Sequence, residues 1–307
     1  MPTLLLLALV GFGAQAINSS LGMGYGVTST TALLALGTTP ALASATVNFS
    51  QVGSQLVSGL AHWRFGNVDW RIVWRIGLPG AAGAFVGATF LSWLSTEAAG
   101  PLMSGILLVL GSYILVRFTV RGTPRGNLGK PLRSAFLAPL GLVGGFLNST
   151  GGGGWGPVGT SALLASGRTE PRTVVGSISA AEFAVVVAGS AGFLVGLGLG
   201  GVNLSWVGVM LAGGVVAAPV AAWLARHIPP RMLGSLVGGL IVVTNVRTLL
   251  HLEGVSASLA AEIITLVAVG LVWVAAVGWS ARAHRAERAA AAATAVPVPA
   301  SLPAVRR

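Results

Sequence analysis

Apolar runs of about the length needed to cross a bilayer recur along the whole chain, and short clusters of arginine separate them. A membrane-crossing helix needs roughly 20 mostly apolar residues. Runs of that kind fall at about 41–62, 76–94, 102–117, 172–198, 206–225, 232–249 and 258–280. Two further apolar stretches, about 4–36 and 134–167, are each interrupted by glycine-rich sequence. Composition closes off the soluble alternatives: only 8% of the 307 residues are charged and 54% are hydrophobic, whereas soluble domains carry nearer a quarter charged. The chain reads as an all-α polytopic membrane protein, not a cytosolic enzyme, a secreted disulfide scaffold or a disordered chain. It has no cysteine, hence no disulfide, thiol nucleophile or Cys-ligated metal. The four histidines, His62, His227, His251 and His284, lack metal-ligand spacing, and no cofactor or metal is expected.

A net charge of +11 invites a nucleic-acid reading, but the positions of the cations point to the lipid bilayer instead. They cluster between the apolar runs: Arg64, Arg71 and Arg75; Arg117, Arg121, Arg125, Lys130 and Arg133; Arg168 and Arg172; Arg226 and Arg231; and the arginines after residue 280. Basic loops stay on the cytoplasmic side of a membrane. Alternation then puts every Lys and Arg except Arg247 inside, with the loops near 37–40, 95–100, 199–205 and 250–257 outside. The N-terminus is expected to be external and the C-terminus cytoplasmic, in the cell membrane. The first run carries no basic flank or convincing cleavage site, so it does not read as a cleaved signal peptide.

The chain also repeats itself. Asn18-Ser19-Ser20-Leu21-Gly22-Met23-Gly24-Tyr25-Gly26 lines up with Asn148-Ser149-Thr150-Gly151-Gly152-Gly153-Gly154-Trp155-Gly156. The match continues from Thr31-Ala32-Leu33-Leu34-Ala35 to Ser161-Ala162-Leu163-Leu164-Ala165, from Gly37 to Gly167, from Pro40 to Pro171 and from Gln51 to Glu182. Charge placement puts Pro40 outside and Pro171 inside, so the halves read as inverted copies. The expected architecture is an inverted-repeat helical bundle, each half a glycine-broken segment plus three spans, with one extra C-terminal helix. In residues, this is a first repeat over 1–120, a basic linker 121–133, a second repeat 134–250, an added helix 257–280 and a disordered basic tail 281–307. Inverted repeats build many secondary transporters, which bind substrate where discontinuous helices meet near the midplane.

Four consecutive glycines cannot sustain a helix inside an apolar run, because each costs about 1 kcal/mol relative to alanine. Residues 148–157 therefore predict helix, glycine turn, helix, with the second helix starting near Gly156 and Pro157 in its first turn. Irregular backbone at membrane depth is tolerated only inside protein or against a wet cavity, and the free N–H groups of a helix start attract anions. Asn18, Ser19, Ser20, Gly22, Gly24 and Gly26 from one half, with Asn148, Ser149, Thr150, Gly151, Gly152, Gly153, Gly154 and Gly156 from the other, are the candidate contacts for a small anionic substrate. Gln51 joins them. For Gly83/Gly87, Gly141/Gly145 and Gly234/Gly238, spaced small-xxx-small, close helix packing is the expectation.

Glu182 is the carboxylate nearest the centre of a predicted span, roughly 16 Å along the helix from Pro171 at about 1.5 Å per residue. A charge there costs on the order of 2.5–3.5 kcal/mol even on insertion scales. It is expected to face the interior and to serve proton coupling or gating, with protons as a second partner. Glu262 reads as interfacial. Gly196, Gly198 and Gly201 match a dinucleotide-binding spacing without its strand or its acidic residue, and Gly129-Lys130 is followed by Pro131, so it is no P-loop.

In these blocks the sequence resembles the sulfite exporter TauE/SafE family of integral membrane transporters over roughly residues 4–250. The likeness rests on the glycine block before Pro157, on Thr160-Ser161-Ala162-Leu163-Leu164 leading to Gly167 and Pro171, and on Gly66-Asn67-Val68-Asp69-Trp70-Arg71. The first repeat departs from the pattern, with Val27 standing where the second has Pro157. The resemblance implies a bacterial-type inner-membrane protein that moves sulfite, sulfonates or related small anions, often outward. The expected function is secondary transport of such an anion. A passive channel and a membrane scaffold are the alternatives, and no nucleophile–base constellation suggests an enzyme.

Overall fold

Prolines and glycines set the helix boundaries. Pro40 and Pro171 each occupy the first position of a helix, where a missing N–H costs nothing. Gly37 and Gly167, matched in the repeat, both sit at positive φ just beyond a helix end, a conformation that L side chains rarely adopt. The Asp69 side chain accepts from the Arg71 backbone N–H at 2.9 Å and caps another helix start. The computed structural model describes residues 2–21, 23–120, 130, 132–227, 230–251 and 258–294.

Among the described residues all regular structure is helical. The first half holds α1 (Pro2–Leu21), α2 (Tyr25–Ala35), α3 (Pro40–Arg64), α4 (Trp70–Trp93) and α5 (Thr96–Val120). The second holds α6 (Ser134–Thr150), a π-helical turn (Gly156–Thr160) leading into α7 (Ser161–Ser166), then α8 (Pro171–Leu197), α9 (Leu204–His227) and α10 (Pro230–Leu250). A final helix, α11, covers Leu259–Thr294. The order is thus a broken segment and three helices, twice, and one helix more.

Four described helical stretches are long and apolar enough to cross a membrane: Trp70–Trp93, Thr96–Val120, Arg172–Leu197 and Leu259–Glu287. Helix α3 is not among them, although its sequence reads as a span, because Ser44, Thr46, Asn48, Ser50, Gln51 and Gln55 dilute its apolar character. Those six side chains are buried in the bundle. The outward faces are apolar instead, with Leu9, Val57, Trp93, Val109, Val195, Val216 and Val274 all exposed, as lipid contact demands. Helix α11 runs well past residue 280, so residues 281–294 are helical rather than disordered. The run of alanine from Ala289 explains this, since alanine is the best helix former. Residues 295–307 and most of the 121–133 linker lie outside the described residues.

The two halves interleave. Helix α4 packs along α6 and α9 along α1, while α3 crosses α8 and α5 lies against α10. Glycine makes the first two pairs close: a Cβ on Gly141 would strike the Ile76 carbonyl and one on Gly145 the Gly80 carbonyl. On the other side, Gly11 and Gly213 stand in the same way against the Met210 and Ala8 carbonyls. Gly83 and Gly87 face Leu142 and Phe146, and Gly234 and Gly238 face Phe118 and Leu115, so these small-residue pairs serve helix packing. Gly145→Leu is therefore expected to lower stability by at least about 1–3 kcal/mol, the usual cost of overpacking. Thermal unfolding in detergent measures this, and Gly105→Ala, with nothing within 4 Å of its added carbon, should not lower the midpoint.

Contacts also give the helix directions. Along α3, Asn48 lies beside Gly189, Gln55 bonds Glu182 and Gly59 abuts Ala180. Helix α8 is therefore antiparallel to α3. Gly111 meets Ile241, Leu115 meets Gly238 and Phe118 meets Gly234, so α5 and α10 are antiparallel too. Leu42, at the start of α3, lines a cavity with Gly200 to Ser205, which follow the end of α8. Leu132 and Leu137 line another with Arg168, Thr169 and Thr173. The segment from α6 through α7 thus begins and ends at one end of the bundle.

Candidate functional site

The polar residues of α3 fall on repeating turns of one helix: Ser44, Asn48, Gln51 and Gln55 are spaced four, three and four apart and share a face. That face meets α8 and the tip of the second broken segment. The Ser44 hydroxyl donates to the Ser149 carbonyl, and the Asn48 amide donates to the Ser44 carbonyl at 2.9 Å. Asn48 Oδ1 and Ser149 Oγ both stand beside the bare α-carbon of Gly189. One helical turn further, Gln51 Nε2 donates to Glu182 Oε1 at 3.2 Å and Gln55 Nε2 to Oε2 at 2.7 Å. Both carboxylate oxygens of Glu182 are thus held by amides, and among the described residues no cation pairs with them.

The two chain breaks meet next to this crossing. Helix α1 stops before Met23 and α2 starts at Tyr25; α6 stops at Thr150 and the π-helical turn opens at Gly156. A Cβ on Gly26 would collide with the Gly152 carbonyl and the Gly153 α-carbon, so backbone touches backbone. The Thr30 hydroxyl donates to the Gly152 carbonyl at 3.0 Å, and the Ser161 hydroxyl points at the Met23 sulfur at 3.8 Å. Matched aromatics anchor the two tips to matched helices. The Tyr25 and Ser50 hydroxyls are 3.1 Å apart, joining α2 to α3, and the Trp155 indole donates to the Ile178 carbonyl at 3.1 Å, joining the second tip to α8.

The predicted contacts do not all converge. Gly26, Gly152, Gly153, Gln51, Asn148, Ser149 and Glu182 lie in the buried region around the α3–α8 crossing. Asn148 Oδ1 accepts from the Trp155 backbone N–H at 3.3 Å and braces the break. The Thr150 hydroxyl donates to the Phe146 carbonyl of its own helix. Gly151 packs against Ile106 and Gly154 against Leu147, so their role is close approach. Gly24 is buried beside Ile17, Gly156 is buried at the start of the π-helical turn, and Asn18 is half-buried in the last turn of α1. The Ser19 and Ser20 side chains and Gly22 lie outside the described residues. Asn48, Ser44, Gln55 and Thr30 were missed in the sequence, although the polar period on α3 marks the first three.

Several atoms in this region are buried and unpartnered among the described residues: Asn48 Oδ1, Gln51 Oε1, Asn148 Nδ2 and Ser149 Oγ. Burying a polar group without a partner costs about 1–3 kcal/mol, and most such groups in native proteins find one. The atoms left over here include both acceptors and donors. Among the described residues no three His, Asp or Glu could hold a metal ion.

A helical bundle with an apolar outer face and a buried polar crossing is that of a multi-pass membrane protein. The chain belongs to the sulfite exporter TauE/SafE family, whose profile matches residues 7–248. It is 46% identical over 278 residues to the probable membrane transporter protein YtnM of Bacillus subtilis (strain 168), a match covering 90% of this chain and 92% of that one. No solved structure matches it. The protein is a membrane transporter.

Proposed function

We propose that this chain carries a small sulfur oxyanion, sulfite or a sulfonate, across the cytoplasmic membrane by secondary transport with alternating access. The observation that carries this reading is the meeting of the two glycine breaks beside the α3–α8 crossing, where Asn48, Gln51, Asn148 and Ser149 keep unpartnered buried atoms. Of these atoms Asn148 Nδ2 and Ser149 Oγ can donate to an oxyanion and disperse its charge without a permanent cation at midplane, while Asn48 Oδ1 and Gln51 Oε1 can accept from a protonated one. The sulfur preference follows the family's description.

The halves act as inverted copies. Antiparallel α3 and α8, antiparallel α5 and α10, and the hydrogen bond between the repeat mates Gln51 and Glu182 support that symmetry. Rocking one half against the other would open the site to each side in turn. Glu182 couples the cycle to protons: held by amides without a cation, it is less costly to bury when a proton neutralises it. Basic loops inside put the N-terminus outside and the C-terminus inside, and net flux is outward.

A flux panel in proteoliposomes tests this reading, with sulfite, sulfate, a short sulfonate and a carboxylate at two pH values. Uphill movement of sulfite or the sulfonate, driven by an imposed proton gradient, is expected. Flux that only runs down its own gradient would make the protein a channel, and no flux of any anion would remove the substrate assignment.

A further inference from the structure

At one end of the bundle the starts of α4, α6 and α8 surround a cavity of about 620 Å³. Four basic side chains, Arg71, Arg75, Lys130 and Arg168, and two acidic ones, Asp69 and Glu170, line it. The two acids offset only part of this charge. Asp69 accepts from the Arg71 backbone N–H, and Glu170 Oε2 accepts from Arg172 Nε at 2.6 Å, a guanidinium outside the cavity lining. Arg75 Nη1 donates to the Leu132 carbonyl at 3.3 Å, which ties the approach to α6 onto α4. The cations come from three separate parts of the chain, and their convergence on one concavity leaves it with a positive excess.

We infer that this cavity is a binding site for an oxyanion, distinct from the buried crossing, with Arg71 and Arg168 as its principal ligands. Planar guanidinium groups present paired N–H donors that match the oxygens of a sulfonate, sulfite or phosphate group. The positive ends of the three surrounding helices add to the attraction. The site lies about 14 Å along α8 from Glu182, counting Thr173 to Glu182 at roughly 1.5 Å per residue. It is wide enough for a small free anion or for the headgroup of an anionic phospholipid, which share this chemistry. The inference does not depend on which solute the buried crossing carries.

The test is calorimetric titration of the full chain in phosphatidylcholine nanodiscs at low ionic strength. Sulfite and inorganic phosphate are the free probes, and short-chain phosphatidylglycerol is the lipid probe. Binding of at least one probe is expected, weakened by about tenfold in each of Arg71→Gln and Arg168→Gln, as loss of a charged hydrogen bond implies. It should be kept only in part in Arg71→Lys and Arg168→Lys, which retain the charge without the paired donors, and weakened by added salt. Saturation by the free ions assigns the site to solute, and saturation by the lipid alone assigns it to a headgroup. Wild-type protein that binds no probe would overturn the inference. So would folded glutamine variants that bind as tightly as wild type.

Discussion

Glu182→Gln is expected to leave the protein folded in the membrane while abolishing proton-driven accumulation of its substrate. Glutamine has the shape of glutamate, and the crossing can accommodate it: Gln51 Oε1 is unpartnered, so a turn of the Gln51 amide lets it accept from the new side chain. What the substitution removes is the choice between charged and neutral forms. At this depth the charged form carries a cost on the order of 2.5–3.5 kcal/mol on insertion scales. Uptake driven by a pH step into proteoliposomes measures the effect, alongside exchange of labelled for unlabelled substrate. Accumulation should vanish while exchange persists and loses its pH dependence. Full rate with unchanged pH dependence would remove Glu182 from the coupling step.

Gly152→Ala should be the most damaging single-carbon change in the chain. Gly152 sits at φ 68°, a conformation costing other residues on the order of 1–3 kcal/mol. Its added carbon would also lie 2.6 Å from Thr30 Cβ and Cγ2, and such overpacking costs typically about 1–3 kcal/mol more. Together these approach the whole stability of a marginal fold, and the collision falls where the two halves touch. Loss of transport beyond any loss of abundance is expected. Thr30→Ala in the same chain removes Oγ1 and Cγ2 but keeps Cβ, so it should relieve only part of the collision and none of the backbone strain, and transport returns only partly. Full rescue, or no defect at all, would mean that the glycine contact does not hold the site.

The breaks were legible in the sequence because a run of four glycines, or glycine at alternate positions, is incompatible with helix in an apolar setting. Both helix interruptions fall where Gly22 to Gly26 and Gly151 to Gly154 predict them. Prolines at helix starts and glycines at helix ends were readable for the same local reasons. Partners were not. That Gln51 and Gln55 would share Glu182, and that Ser44 would reach the Ser149 carbonyl, depends on how α3 crosses α8, which no local pattern specifies. The exchange of α1 and α6 between halves was hidden for a similar reason: the glycines that permit the close approach are visible, but not the helix they approach. Helix α3 illustrates the ambiguity, since a run read from its length as a membrane span carries a polar face whose partners lie inside the bundle.

The central claim is that two halves of opposite orientation enclose one site. The chain contains no cysteine, so single cysteines placed at exposed Thr39, the N-cap of α3, and at exposed Arg172, in the first turn of α8, report cleanly on sidedness. Labelling intact cells with a membrane-impermeant maleimide should modify the Thr39→Cys protein and spare the Arg172→Cys protein until the membrane is opened. Modification of both from the same side would contradict the account.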